Sequence, residues 1–152
     1  MIKITTIAYK SSILAADTQL TIDDHIKILY HKHDFLKDGS VIAAAGDADV
    51  SEEFKNYLNK ETKKCPSKKR MEKYSAIRIF EDGRVVFYES GPDPYSLDHS
   101  FHACGIGHEF ARAAMALGLS AKDAVIFASE MDIYTNSIID TYNSRTKEYI
   151  KG

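Results

Sequence analysis

The chain opens on an alternating run, Ile2-Lys3-Ile4-Thr5-Thr6-Ile7-Ala8-Tyr9, and after Lys10-Ser11-Ser12 a second run follows, Ile13-Leu14-Ala15-Ala16. A period of two over that length commits both segments to extended strands paired through a short turn. The same grammar recurs twice. Leu36 to Ile42 folds back at Asp38-Gly39, and Tyr74–Phe80 with Arg84–Tyr88 flanks Glu81-Asp82-Gly83, where glycine supplies the positive φ of a hairpin turn. Ala43-Ala44-Ala45 continues the second hairpin with side chains small enough for close approach. Between the hairpins, Asp49 or Ser51 is expected to cap a helix with Phe54, Tyr57 and Leu58 on its apolar face. Gly91-Pro92-Asp93-Pro94 reads as a loop and Phe101–Cys104 as a short strand. A small-residue helix follows from Gly107 to Gly118, then one opened by Ser120-Ala121-Lys122-Asp123 and running to about Met131. Ile138-Ile139 and Tyr149-Ile150 are expected to close the sheets. Hairpins, one helix, hairpins and two helices predict an α+β fold with segregated layers.

At 152 residues the chain is expected to form one domain over 1–152. An apolar content of 44% and a charged content of 28% are those of an ordinary globular chain. A net charge of -2 gives no electrostatic reason to expect nucleic acid, and the basic stretch Lys60 to Lys73 reads as a solvated loop around Pro66. Cys65 and Cys104 stand far apart, in no CxxC or Cys/His array, which predicts reduced thiols and a cytoplasmic setting. No apolar run has the length of a signal peptide or a membrane span, so neither secretion nor membrane insertion is expected. His31 and His33 would share a strand face, but two histidines without a third ligand do not define a metal site, and none is expected. No cofactor is implied. His99, His102 and His108 read as surface or loop residues, and Met71, Met115 and Met131 as core filler.

Five segments in order carry a resemblance. They are Thr5-Thr6-Ile7-Ala8, Ala15-Ala16-Asp17-Thr18-Gln19-Leu20-Thr21, Leu36-Lys37-Asp38-Gly39 with Ala45-Gly46-Asp47-Ala48-Asp49, Gly105-Ile106-Gly107-His108-Glu109-Phe110-Ala111-Arg112-Ala113-Ala114, and Asp132-Ile133-Tyr134-Thr135-Asn136. In that order and spacing the chain resembles the HslV and proteasome β-subunit family of N-terminal nucleophile hydrolases, in particular its short phage-borne members. The resemblance implies a four-layer αββα sandwich of two antiparallel sheets. It also implies a threonine-type endopeptidase acting on peptides or unfolded proteins, a homo-oligomeric ring, and an ATPase unfoldase as a candidate partner. The setting would be the host cytoplasm if the chain is phage-encoded.

Site roles follow from the same resemblance. Thr5 would be the nucleophile and its freed α-amine the general base, since an α-amine titrates near ~8 and is partly neutral at pH 7. Lys32 would place a cation beside the threonine hydroxyl, and Asp17 would hold that lysine. The irregular run His31-Lys32-His33-Asp34 leaves Lys27 as the other candidate for the lysine. The Gly46 N–H would stabilise the tetrahedral oxyanion. Asp132 and Thr135 would support the amine. Backbone atoms of Thr21 and Ala48 would pair with an extended peptide, and Leu20 and Ala44 would line an apolar first pocket. Read singly, Asp17 is equally a strand end and Thr5 an ordinary β-branched strand residue.

Two features depart from the family pattern. Residues 1–4 precede Thr5, so its nitrogen is an amide until they are removed, and β-branched Ile4 stands where the family has glycine. Ile106 replaces the serine of the Gly-Ser-Gly motif and supplies no hydrogen bond. The alternative function is therefore a catalytically inactive proteasome-like scaffold or assembly protein. A small-molecule amidase stands further off.

Overall fold

The computed structural model describes residues 2–4 and 6–152. In chain order the elements are β1 (Ile2–Ile4), β2 (Thr6–Lys10), β3 (Ile13–Asp17), β4 (Gln19–Ile22), β5 (Ile26–Leu29), β6 (His33–Phe35), β7 (Val41–Ala45) and α1 (Ala48–Leu58). They continue as β8 (Ser75–Ile79), β9 (Val85–Glu89), β10 (Tyr95–Ser96), β11 (Phe101–Gly105), α2 (His108–Ala116), α3 (Ala121–Met131), β12 (Ile139–Asn143) and β13 (Glu148–Ile150). Two five-stranded antiparallel sheets form, ordered β11-β2-β3-β12-β13 and β10-β9-β8-β7-β6.

Strand alternation sorts the apolar residues into three layers of core. Ile7, Leu14 and Ala16 of the first sheet meet Val41, Ala43, Ala45, Ile77 and Ile79 of the second, which makes the interior between sheets. The opposite face of the first sheet carries Ala8, Ala15 and Ala103 under Ala111, Ala114, Met115, Ala124, Val125 and Ala128 of α2 and α3. So many alanines leave no bulk between helix and sheet, and the helices seat close to it. The outer face of the second sheet carries Ile42, Ala44, Ala76, Val86 and Tyr88 under Val50 and Phe54 of α1. Phe54 is fully buried and meets Tyr74 and Tyr88 edge-on, with ring centroids 5.3 and 5.2 Å away. Its truncation to alanine costs about 3–5 kcal/mol by lost burial and cavity formation. The result is the expected αββα order, with two helices on one side and one on the other.

Helix boundaries follow local chemistry. Ser120 accepts from the Asp123 N–H at 3.1 Å and opens α3 as its sequence suggests. For α1 the cap is Asp47, whose carboxylate takes the Asp49 N–H at 2.8 Å, and not Asp49 or Ser51. Ser51 is already inside the helix and buried, since the helix starts as soon as β7 leaves Gly46. α2 has no basic residue in its last turn, but Lys10 from β2 donates to the carbonyls of Met115 and Leu119 at 2.9 and 3.0 Å. A cation there satisfies orphan carbonyls and opposes the helix dipole.

The opening strand differs from expectation. Residues 2–4 do not continue β2 within its sheet. They pair antiparallel with β4, Ile2 against Ile22, Lys3 against Thr21 and Ile4 against Leu20, in a third sheet of order β1-β4-β5. The β4–β5 hairpin escaped the sequence reading because β5 is exposed along its whole length, so burial imposes no alternation on it.

Candidate active site

β3 ends at Asp17, and after Thr18 the chain passes into β4 of the third sheet. This leaves the Asp17 carboxylate inside the protein, fully buried, with backbone N–H groups converging on it. Oδ1 accepts the Thr6 N–H at 3.1 Å and also holds the Lys32 ammonium in an ion pair. Oδ2 accepts the N–H groups of Gln19 and Asn136, each at 3.3 Å. A buried carboxylate with four donors among the described residues is the arrangement in which a negative charge is tolerated away from water. Lys32 lies just before β6 and is itself 3% exposed. Burial pulls its ammonium below the ordinary lysine range, with Asp17 the chief opposing influence. Lys27, the other candidate, sits on the exposed strand β5. Among the residues assigned from sequence, the structure thus brings Asp17 and Lys32 together. Thr5 lies outside the described residues.

A second carboxylate stands on the other side of Thr6. Its hydroxyl is 2.7 Å from that of Thr135, which donates to Asp132 Oδ2 at 2.7 Å. Thr135 is buried and Asp132 is the residue at which α3 ends. The segment after α3 is zipped to the segment after Asp17. Asn136 accepts the Thr18 N–H at 3.0 Å, and Gln19 Nε2 donates to the Ile133 carbonyl at 2.9 Å. Thr6, Gln19 and Asn136 belong to the motif segments but carry no role from the sequence. A fully buried polar residue is invisible in one sequence when its partner stands 129 positions away, as Thr135 does from Thr6.

Gly46 has φ +118°, and a Cβ there would lie 2.8 Å from the Lys73 carbonyl oxygen. Both facts demand glycine independently of any ligand. Ala48 is half-buried at the start of α1, and Ala44 packs in the cluster beneath that helix. Leu20 and Thr21 are buried on β4. Ile106 is 46% exposed, so it does not fill an interior space where a serine would stand. Cys104 is buried near the lysine, and burial pushes its thiol up to about 12, which keeps it protonated and poorly nucleophilic. His31 and His33 are committed elsewhere, to Asp140 at 2.5 Å and to the Leu14 carbonyl at 2.8 Å. Among the described residues no group of three or more His, Cys, Asp or Glu is placed to hold a metal ion. Among the described residues no helix is long and apolar enough to cross a membrane.

The layer order, with α2 and α3 over one sheet and α1 over the other, is that of a four-layer αββα sandwich. Among solved structures the chain is similar to HslV from Trypanosoma brucei, at 20% identity over 97% of this chain and 100% of that one, with a TM-score of 0.68. It is also similar to BPH from Thiobacillus denitrificans, solved in complex with epoxomicin, at 17% identity over 93% and 97% of the two chains, with a TM-score of 0.69. At these identities the likeness is one of fold, and it is the fold that the sequence resemblance implies. Neither neighbour bears on the phage-like expectation. No protein-family model and no curated protein matches the sequence.

Proposed function

We propose that the chain is a threonine-type peptidase subunit whose nucleophile is Thr5, once residues 1–4 have been removed. The observation that carries this reading is the single Asp17 oxygen shared by the Lys32 ammonium and the N–H of Thr6, the residue bonded to Thr5. In this role the buried Lys32 ammonium would lower the pKa of the Thr5 hydroxyl, and a free α-amine on the same residue would supply the base. In acyl transfer the Thr5 oxygen would attack the peptide carbonyl while its proton passes to the amine. The carbonyl oxygen would then take negative charge toward the Gly46 N–H, and the amine would return the proton to the leaving nitrogen.

The alternative, a form without turnover, is favoured by one observation. β1 occupies the edge of β4 at Thr21, where an extended substrate would otherwise add as a strand. The full chain is on this reading the closed form. The wider expectations, a homo-oligomeric ring and a docking unfoldase acting on unfolded proteins, rest on the resemblance.

The experiment uses epoxomicin, the ligand of the Thiobacillus denitrificans neighbour. A chain beginning at Thr5 should gain the mass of one inhibitor, with the adduct on residue 5. Thr5→Ala and the full chain should gain none. An adduct elsewhere, or none on the Thr5-start chain, contradicts the assignment.

A further inference from the structure

Thr6 is fully buried and tied on two sides. Its N–H reaches Asp17 directly at 3.1 Å, and its hydroxyl reaches Asp132 through Thr135 in two steps of 2.7 Å. The direction of that relay is fixed by its end. The Asp132 carboxylate takes the one hydroxyl proton of Thr135, so in the Thr6–Thr135 contact Thr6 is the donor. Gly107 makes the relay possible. Its backbone, at φ -85° and ψ 12°, is open to any residue, so conformation does not require glycine there. Space does, because a Cβ at 107 would lie 2.4 Å from Thr6 Oγ1 and 3.3 Å from Thr135 Oγ1. The missing side chain at the start of α2 is the room that the hydroxyl pair fills.

We propose that Thr6 is a positioning residue for the proposed Thr5 reaction, locking the chain next to the nucleophile to both carboxylates so that the Thr5 hydroxyl and amine are presented in one orientation. The inference rests on Thr5 being the nucleophile. A peptide unit is planar, so anchoring both the N–H and the side chain of Thr6 removes the freedom at the link through which residue 5 is attached. Loss of one anchor loosens that link without touching the Lys32–Asp17 pair, and small misplacements of a reacting group cost rate steeply.

The test uses chains beginning at Thr5. Thr6→Val keeps the shape and removes the donor; it should lower kcat about tenfold or more and leave KM unchanged. Thr6→Ser should restore most of the rate. Thr135→Val should produce a similar fall, and the double variant little beyond either single one, because both break one relay. In parallel, the pH dependence of acetylation of the residue 5 α-amine is followed by mass. In Thr6→Val its midpoint should differ from that of the unsubstituted Thr5-start chain, and in Thr6→Ser it should match it. If Thr6→Val folds and changes neither kcat nor the midpoint, the inference is overturned, as it also is if the two single losses add in full. If Thr5→Ala retains hydrolysis, the nucleophile reading falls, while a shifted amine midpoint in Thr6→Val still establishes the anchor.

Discussion

At the scale of single residues, Asp17 and Lys32 form a buried ion pair. Removing Lys32 while leaving Asp17 takes the cation from a carboxylate that is fully buried. Lys32→Met should therefore cost about 3–5 kcal/mol in urea unfolding and abolish any hydrolysis. Ile106 makes the opposite kind of prediction. Because it is 46% exposed, Ile106→Ser opens no cavity and should change stability by less than about 0.5 kcal/mol. If the site uses a hydroxyl there, turnover of a Thr5-start chain rises about tenfold; an unchanged rate in a folded variant shows that it does not. Asp17, Lys32 and Thr135 were legible because their types and spacing match a motif. Thr6 was not, since the second of two threonines in a strand looks like any β-branched residue until its partner is in view. Gly107 was legible as a motif position and not as the space that two hydroxyls occupy.

Among the elements, the strands that alternate between two cores could be read, and so could the mostly exposed closing strand β13, while β4 could not, although most of it is buried. β2, β3, β7 and β8 alternate between two cores, so their pattern follows directly from burial. β5 has no buried face, and β1 changes partner after Ile4, which no periodicity announces. Capping gives a prediction here. α2 has no basic residue of its own in the last turn and relies on Lys10 from a neighbouring strand. Lys10→Met keeps the aliphatic stem and should cost about 1–2 kcal/mol in thermal or urea unfolding, with the loss falling on α2 first in hydrogen exchange. An unchanged exchange pattern at Leu117 to Leu119 would speak against a capping role.

For the whole molecule, the two sheets are joined by polar contacts as well as by apolar packing. His33 on β6 reaches across to the Leu14 carbonyl of β3 and is held neutral, with burial bringing its pKa down to about 4. An unfolded histidine takes a proton near ~6.5, so between those values the unfolded chain binds more protons than the folded one. Stability should accordingly fall as pH drops from about 6.5 to 4, by up to about 3 kcal/mol from this residue, and His33→Gln should flatten that part of the profile. An α+β class with segregated layers could be read from the order of hairpins and helices, and the αββα order was implied by the family resemblance. The third sheet could not be read, and it bears most directly on the proposed function, because β1 lies on the β4 edge that the proposal assigns to a peptide. The central claim is that the buried Asp17–Lys32 pair serves a threonine nucleophile at position 5. Its most direct test is hydrolysis of a fluorogenic peptide with an apolar residue before the cut, by a chain beginning at Thr5, by its Thr5→Ala and Thr5→Ser variants and by the full chain. The account predicts turnover by the Thr5-start chain, a reduced rate with serine, and none with alanine or with residues 1–4 in place; hydrolysis that survives Thr5→Ala would contradict it.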